Sequence, residues 1–336
     1  MKKLLLFAFI TMIVSALSAQ VIHVPADYSS IQQGIEAASN GDTVLVDNGT
    51  YYENINFLGK AITVASNFIL DGDTNHINNT VIDGSQPVHE DSASVVTFRS
   101  GEDTTSVLVG FTITGGSGTE YSVFVNRSGG GIFINESGGK ILHNKIIGNA
   151  IVHDKFGGGG GISCTSMDED CWVIIGNNII KQNSLNITLW AGGGGISIAA
   201  SARIYGNTIS GNEVICTGND KEAEGGGIYC EEMGNPDDVH ISNNIIANNT
   251  IDSDWSRGAG IQVYNSQTTI TNNNIYNNET FGKRAAGSAI GFYYISGNII
   301  IKNNQIYNNE HNVDTMGVAV VTLREILNPD VSIEIR

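Results

Sequence analysis

One nine-residue motif, Ile-x-x-Asn-x-Ile-x-x-Asn, recurs six times and limits the possible fold of this chain more than any other feature. Its copies begin at Ile141, Ile175, Ile204, Ile241, Ile270 and Ile301. Their first asparagines are Asn144, Asn178, Asn207, Asn244, Asn273 and Asn304, separated by 34, 29, 37, 29 and 31 residues. A repeat of this length indicates a solenoid, in which each copy is one structural unit stacked on the next.

A glycine run followed by isoleucine alternates with the asparagine motif. Its copies occupy residues 129–132, 158–162, 192–196, 225–228 and 258–261, and a degenerate copy occupies residues 287–290. Glycine allows turns where a Cβ atom would clash, and isoleucine in period-two alternation turns one face of a short strand inward. Asparagine tolerates the left-handed backbone of a tight corner. Each repeat is therefore expected to form one coil of about three short strands.

The fold predicted from these repeats is all-β: a single-stranded, right-handed parallel β-helix. The six first asparagines are expected to stack in a ladder, because their amides can hydrogen-bond to their copies in the coils above and below. A leucine-rich repeat is the main structural alternative, but leucine is nearly absent from the motif and no helical segment accompanies each copy. A calcium-binding nonapeptide roll needs a Gly-Gly-x-Gly-x-Asp series, which the chain lacks.

The N-terminal residues predict export and a cap. Residues 1–19 combine two lysines, a short apolar run and small residues, the pattern of a secretory signal peptide. Residues 20–66 are predicted to form the cap: Ser29 or Ser30 with Gln32 or Gln33 makes a capping box for a short helix over the open end of the solenoid. Residues 67–336 are predicted to be coils. We therefore expect a secreted or cell-surface protein without a transmembrane segment after signal cleavage.

The net charge of the chain limits the classes of ligand that it is expected to bind. The net charge of −17 argues against nucleic acid, because phosphate binding needs clustered Lys and Arg. It is compatible with neutral sugars, or with acidic sugars bridged by a cation.

The four cysteines could form disulfides in an exported chain: Cys164 could pair with Cys171, and Cys216 with Cys230. Cys164 and Cys230 also stand where other repeats have a buried aliphatic residue, so both interpretations stay open.

The opening of the chain resembles the pectin-lyase-like β-helix superfamily. The turn Gly49-Thr50-Tyr51-Tyr52-Glu53 after the capping helix resembles the start of pectin methylesterases. The segments at 80–84, 95–98 and 110–116 resemble bacterial secreted right-handed β-helix repeat proteins. The alternation of Gly-Gly-Gly-Ile with Ile-x-x-Asn is similar to chlamydial polymorphic outer-membrane protein repeats. The resemblance spans nearly all of residues 22–325 and implies the fold.

The catalytic motifs of the superfamily's enzymes are absent. The Leu-Gly-Arg-Pro-Trp motif of pectin methylesterases, the Gly-His-Gly of polygalacturonases and the Trp-x-Asp-His of pectate lyases do not occur in the sequence. Fold alone does not confer function. The resemblance therefore implies no particular activity.

Three sets of residues are candidates for a site. If coils stack, the segment between each second asparagine and the next glycine run forms one edge, where aromatic rings could bind sugar faces; it carries Phe156, Trp190 and Trp255. A second edge is acidic and could hold Ca²⁺; it carries Asp168, Asp170, Glu232 and Asp237. A polysaccharide lyase would need a base and a charge neutraliser; the candidates are Arg257 beside Asp254, and Lys283 with Arg284.

The preferred function is a non-catalytic module that binds carbohydrate or another surface partner. We expect a polysaccharide or cell-surface glycan as the partner and no cofactor, with Ca²⁺ as the one candidate ion. A polysaccharide lyase acting on uronans is the first alternative. A structural or adhesive spacer is the second.

Overall fold

The computed structural model describes residues 19–121, 126–168, 171–231, 238–295, 298–318, 321–326 and 333–335. The predicted signal peptide lies outside these residues, except for Ala19. Within them the chain is a right-handed parallel β-helix, as predicted. Its strands form four sheets, here named A to D, and three short helices occupy residues Ile31–Ala37, Phe68–Asp71 and Thr74–Asn79.

Sheets A, B and C surround the main core. Sheet A contains Val21–Val24, Thr43–Val46, Thr63–Ser66, Val107–Val109, Gly139–Leu142, Trp172–Gly176, Ser201–Tyr205, Asp238–Ser242, Gln267–Thr271, Ile299–Lys302 and Ile333–Ile335. Sheet B contains Gly49–Tyr51, Thr80–Asp83, Thr112–Thr114, Lys145–Ile147, Ile179–Lys181, Thr208–Ser210, Ile245–Ala247, Asn274–Tyr276 and Gln305–Tyr307. Sheet C contains Ile55–Asn56, Val96–Phe98, Ile132–Asn135, Ile162–Thr165, Ile196–Ala199, Ile228–Glu231, Ile261–Tyr264, Ile290–Ile295 and Val321–Ile326.

Columns of isoleucine fill this core. In sheet C, Ile162 pairs in register with Ile132 in one neighbouring coil and Ile196 in the other, and all three side chains are fully buried. In sheet B, Ile180 stands in the same relation to Ile146 and Ile209. The alternation of the motif turns these residues inward in every coil, and burying each one contributes about 1.5–3 kcal/mol of hydrophobic stabilisation.

The asparagines of the motif form two buried ladders. Asn178 Nδ2 donates to Asn207 Oδ1 at 3.0 Å and to Ile141 O at 2.8 Å, and the same pattern extends from Asn144 to Asn304. The second asparagines of the motif form the same side-chain hydrogen bonds from Asn149 to Asn309. The left-handed residue of each corner is the one before the ladder asparagine, such as Asn177 with φ 56°. The ladder residues themselves thus satisfy backbone groups that the corners would leave unpaired.

Sheet D was not predicted from the sequence, which indicated only about three strands per coil. It contains Ser92–Ala93, Gly118–Tyr121, Asn126–Ser128, Ala150–His153, Phe156–Gly158, Ser184–Ile187, Trp190–Gly192, Glu213–Cys216, Glu222–Glu224, Thr250–Arg257, Glu279–Ala286 and Glu310–Val318. The chain enters sheet D after sheet B and returns before sheet C. A second hydrophobic core packs between the outgoing and returning strands; it includes Ile151, Leu185, Ile187, Val214 and Ile251. The segments that sequence analysis treated as an edge of inserted loops are therefore ordered strands.

The N-terminal helix Ile31–Ala37 caps the core through Ile31 and Ile35. The Ser30 hydroxyl accepts from Gln33 N at 3.2 Å, as the predicted capping box requires. The Glu53 carboxylate accepts from the backbone N–H groups of Ile31 and Gln32, each at 2.9 Å. The strands of residues 21–66 are the first members of sheets A, B and C, so the coils are continuous with the predicted cap.

Two cysteines are free thiols in buried positions. Cys164 points into the main core and Cys216 into the second core. Neither of the two candidate disulfides is therefore formed. Across the described part of the chain, no helix is both long and apolar enough to cross a membrane.

Candidate functional site

A groove runs between the outer face of sheet C and the returning strands of sheet D. It encloses a volume of about 390 Å³. Its lining is aromatic, hydroxylic and acidic, and comprises Tyr121, Asn126, Ser128, Phe156, Gly157, Gly158, Ser163, Thr165, Trp190, Ser197, Ala199, Glu222, Glu224, Tyr229, Glu231 and Tyr264. Strand alternation produces both walls: Cys164 of sheet C turns into the core, while its neighbours Ser163 and Thr165 turn into the groove.

The three predicted aromatic residues occupy one column of sheet D. Phe156 pairs in register with Trp190, Trp190 with Glu222, and Glu222 with Trp255. Phe156 and Trp190 line the groove next to each other. Trp255 lies farther along the same column, with the Arg284 guanidinium 4.3 Å from its ring centroid. The structure thus brings Phe156 and Trp190 together in adjacent coils, whereas one coil lies between Trp190 and Trp255.

Trp190 joins the two walls of the groove. Its ring centroid is 5.2 Å from that of Tyr229 in sheet C, at an interplanar angle of 67°. A Cβ atom on Gly192 would lie 2.8 Å from Trp190 Cη2 and 3.0 Å from Tyr229 Cδ1. Glycine at this position therefore leaves the space in which the two rings meet.

A buried ion-pair network lies beside these rings. Arg257 Nη1 is 2.8 Å from both Glu222 Oε2 and Glu224 Oε1, and Nη2 is 3.2 Å from Glu222 Oε1. Burial raises the pKa of Glu224 to about 7, although the charge and hydrogen bond of Arg257 oppose the change. Burial lowers the pKa of Arg257, but its bonds to the two glutamates outweigh this effect and raise it. Arg257 consequently remains a cation held by both carboxylates.

Glu231 is the third carboxylate of the groove. It ends the strand Ile228–Glu231, and burial raises its pKa against a hydrogen bond from the Tyr229 hydroxyl. Among the described residues Glu231 forms no salt bridge. The described cations therefore do not neutralise its charge.

Arg257 and Asp254, named together as lyase candidates, bind different partners in the structure. Alternation along the strand Thr250–Arg257 turns the two side chains to different partners. Asp254 accepts from Lys283 Nζ and from the backbone of Asp220, each at 2.7 Å. The hydrogen bond from Lys283 and that from Asp220 lower the pKa of Asp254 and hold it ionised.

The predicted acidic edge is only partly described. Asp168 lies in the turn between Ile162–Thr165 and Trp172–Gly176, where its N–H donates to Ser166 Oγ at 3.1 Å. Asp170, Glu232 and Asp237 lie outside the described residues. Within the described ranges, no group of three or more His, Cys, Asp or Glu side chains could hold a metal ion. Calcium at this edge stays a prediction.

Sequence analysis did not place Glu222, Glu224, Tyr229 and Glu231 together. A signal was present, since the acidic residues interrupt columns in which the two preceding coils have an aromatic residue and a glycine. Trp190 and Gly192 occupy the registers of Glu222 and Glu224 one coil earlier. Departures from a repeat consensus indicate function more than folding.

The comparison with family models agrees with the observed fold. A family model described as "Right handed beta helix region" matches residues 109–324. No curated protein sequence matches the chain. Among solved structures, pectin methylesterase from carrot is similar, with 10% sequence identity, a TM-score of 0.37 and 90% of each chain covered.

Proposed function

The chain belongs to the right-handed β-helix family, and from this premise we propose that it is an exported protein that binds carbohydrate in the groove between sheets C and D. Export rests on the signal-peptide pattern of residues 1–19. The observation that carries carbohydrate binding is the combination of aromatic rings and carboxylates along one concave surface. The predicted relations to bacterial secreted proteins and to chlamydial repeats belong to the same proposal.

The aromatic residues supply the apolar contacts. A sugar ring has an apolar face of C–H groups, and amphipathic aromatic rings bind such surfaces while leaving polar groups at their edges. Phe156 and Trp190 occupy adjacent coils, about 4.8 Å apart in the stacking direction. A glycan lying along the solenoid axis would meet both rings in succession.

The polar residues supply the hydrogen bonds. Glu222 on sheet D and Glu231 on sheet C present carboxylate acceptors for sugar hydroxyls, and Ser163, Ser197 and Thr165 present hydroxyl groups on the sheet C wall. Binding sites of this kind combine a predominantly apolar surface with a few oriented polar groups. The strands on which these groups stand are paired on both sides, so little ordering is needed on binding.

The contacts of the basic candidates do not favour the lyase alternative. Both terminal nitrogens of Arg257 bind carboxylates, and Lys283 Nζ binds Asp254. A lyase needs a free base and a cation facing the substrate carboxylate. Incubation with pectate and alginate, with and without calcium, tests this alternative directly: formation of unsaturated uronate products would favour the lyase over a binding module.

The binding experiment compares two tryptophans by calorimetry with soluble neutral and acidic polysaccharides. Trp190→Ala removes a ring of the groove, and we expect it to weaken glycan affinity at least about tenfold, equivalent to about 1.4 kcal/mol. Trp172→Ala is the matched control, because Trp172 lies on sheet A and contacts Arg203 at 5.2 Å. Thermal unfolding of both variants checks folding.

Three results would contradict the proposal. Equal affinity of Trp190→Ala and the unmodified protein would exclude the groove as the binding surface. A loss in Trp172→Ala alone would move the site to sheet A. No glycan binding by the unmodified protein would leave the spacer function.

A further inference from the structure

The carboxylates of the groove all come from one coil. Glu222 and Glu224 stand on the returning strand of sheet D, and Glu231 stands on the strand of sheet C that follows after one glycine corner. The preceding coil has Trp190 and Gly192 in register with the two sheet D glutamates. That coil folds without acidic groups at these positions, so the repeat does not need them.

Burying these groups also costs stability. Only 2% of the Glu224 side chain is exposed, and removing a carboxylate and a guanidinium from water costs several kcal/mol for each ion before their attraction offsets it. The neighbouring coil avoids this cost with glycine at the equivalent position. A costly pair of glutamates that one groove-lining coil has and the preceding coil lacks indicates a role in ligand recognition.

The carboxylates outnumber the cations that face them. Arg257 is the cation bound to this cluster, and both of its terminal nitrogens are directed to Glu222 and Glu224. Glu231 instead faces the Tyr229 hydroxyl. Arg284 lies over the Trp255 ring and does not line the groove. The groove therefore has excess negative charge around Glu231.

This charge opposes an acidic glycan. A uronic acid unit would bring a carboxylate next to Glu231, and like charges in a partly buried site repel strongly. A divalent cation could bridge them only if several ligand oxygens converged. Within the described ranges no such group of side chains exists. Neutral and cationic sugars therefore fit the described lining of the groove better than acidic sugars.

Resting on the proposed glycan-binding function, we propose that the preferred occupant is a glycan with protonated amino groups, such as a chain of glucosamine units. The ammonium group pairs with the Glu231 carboxylate, while the sugar face packs against Trp190. Glu222 accepts hydrogen bonds from neighbouring hydroxyl groups. Amino sugars have both an apolar face that the aromatic rings can bind and a positive charge that can pair with the carboxylates.

The groove should bind such a ligand more tightly as its carboxylates ionise. Burial raises the pKa of Glu231 and of Glu224, the latter to about 7. The other ionisable groups of the cluster are Tyr229 and Tyr264, whose pKa values burial raises, and Glu222, which Arg257 holds. Neither tyrosine therefore ionises near neutral pH. Affinity for a glucosamine oligomer is expected to increase as Glu231 ionises, over the pH range in which the amino groups of the oligomer stay protonated.

The test compares three soluble oligomers of equal length, made of glucosamine, N-acetylglucosamine or galacturonic acid. Calorimetry is carried out at about pH 6, where the amino groups of glucosamine are largely protonated, and at about 150 mM salt. Salt suppresses nonspecific attraction to the acidic surface. We expect the glucosamine oligomer to bind at least about tenfold more tightly than the neutral one, and the galacturonic acid oligomer to bind least. Glu231→Gln should remove the preference for the glucosamine oligomer over the neutral oligomer.

The matched control is Glu213→Gln, which makes the same charge change at an exposed position on the outgoing strand Glu213–Cys216. An equal effect of the two substitutions would overturn the inference, as would equal affinity for amino and acetylated oligomers. Binding of the neutral oligomer without charge preference leaves the proposed function standing and refutes only the inference. Binding of none of the oligomers refutes both.

Discussion

Removal of one ladder amide should destabilise the whole solenoid. Asn183 is fully buried; its Nδ2 donates to Ile146 O at 3.1 Å and to Asn212 Oδ1 at 3.0 Å. Its Oδ1 accepts from the N and Nδ2 atoms of Asn149 at 3.2 and 2.9 Å. Asn183→Ala removes all four bonds. It leaves the buried Asn149 N–H without an acceptor, which costs about 1–3 kcal/mol, and each of the other three lost bonds contributed about 0.5–1.5 kcal/mol. We expect the free energy of unfolding to fall by about 3–5 kcal/mol.

Urea unfolding followed by circular dichroism and by tryptophan fluorescence measures this loss. Coincidence of the two transitions must be established first, because solenoids can unfold in segments. Asn186→Ala is the control, since Asn186 is exposed on the next strand of the same coil; it should change stability by less than about 0.5 kcal/mol. Similar small effects of both substitutions would refute the assignment of the ladder as a main source of stability.

Two further predictions concern pH and coil spacing. The folded-state pKa of Glu224 is raised to about 7 from an ordinary 4.5, so the stability that this group contributes is fully present below about pH 4.5 and is lost as the pH rises through about 7. The decrease in melting temperature between about pH 5 and about pH 8 should therefore be smaller in Glu224→Gln, and an unchanged decrease would argue against a buried, raised-pKa carboxyl. Gly160→Ala places a Cβ atom 2.6 Å from Gly194 O in the next coil; thermal unfolding should show a loss of about 1–3 kcal/mol. The control Gly49→Ala, whose Cβ would meet only the Tyr51 ring at 3.4 Å, should be much milder.

The coils could be predicted from the sequence because their determinants are local and repeated. Each motif copy carries the inward isoleucines and the ladder asparagine within nine residues, and six copies report the same register. The general corner was therefore predictable. The residue with left-handed backbone at each corner was harder to predict, because it precedes the ladder asparagine and its type varies. It is His143, Asn177 and Gly206 in the first three copies.

The groove could not be predicted because its walls meet through long-range contacts. Trp190 meets Tyr229 from a different coil, and Arg257 reaches back to Glu222 and Glu224. These contacts depend on sheet D, whose strands lie in segments of irregular length. The polar–apolar alternation of Ser184-Leu185-Asn186-Ile187 was a usable signal for these strands.

Sequence neighbours were a poor guide to ion pairs. Asp254 and Arg257 are three residues apart, yet they stand on one strand and bind different partners. In a solenoid the partner of a side chain is usually its equivalent one coil away. Lys283 and Asp254 show this relation, since the strands Thr250–Arg257 and Glu279–Ala286 pair in parallel.

A crystal structure of the protein soaked with a glucosamine oligomer tests the central claim most directly. The account predicts electron density for sugar rings along the groove, with one ring against Trp190 and an amino group within hydrogen-bonding distance of Glu231. Ordered sugar on another face, or an empty groove at ligand concentrations that saturate binding in solution, would contradict it.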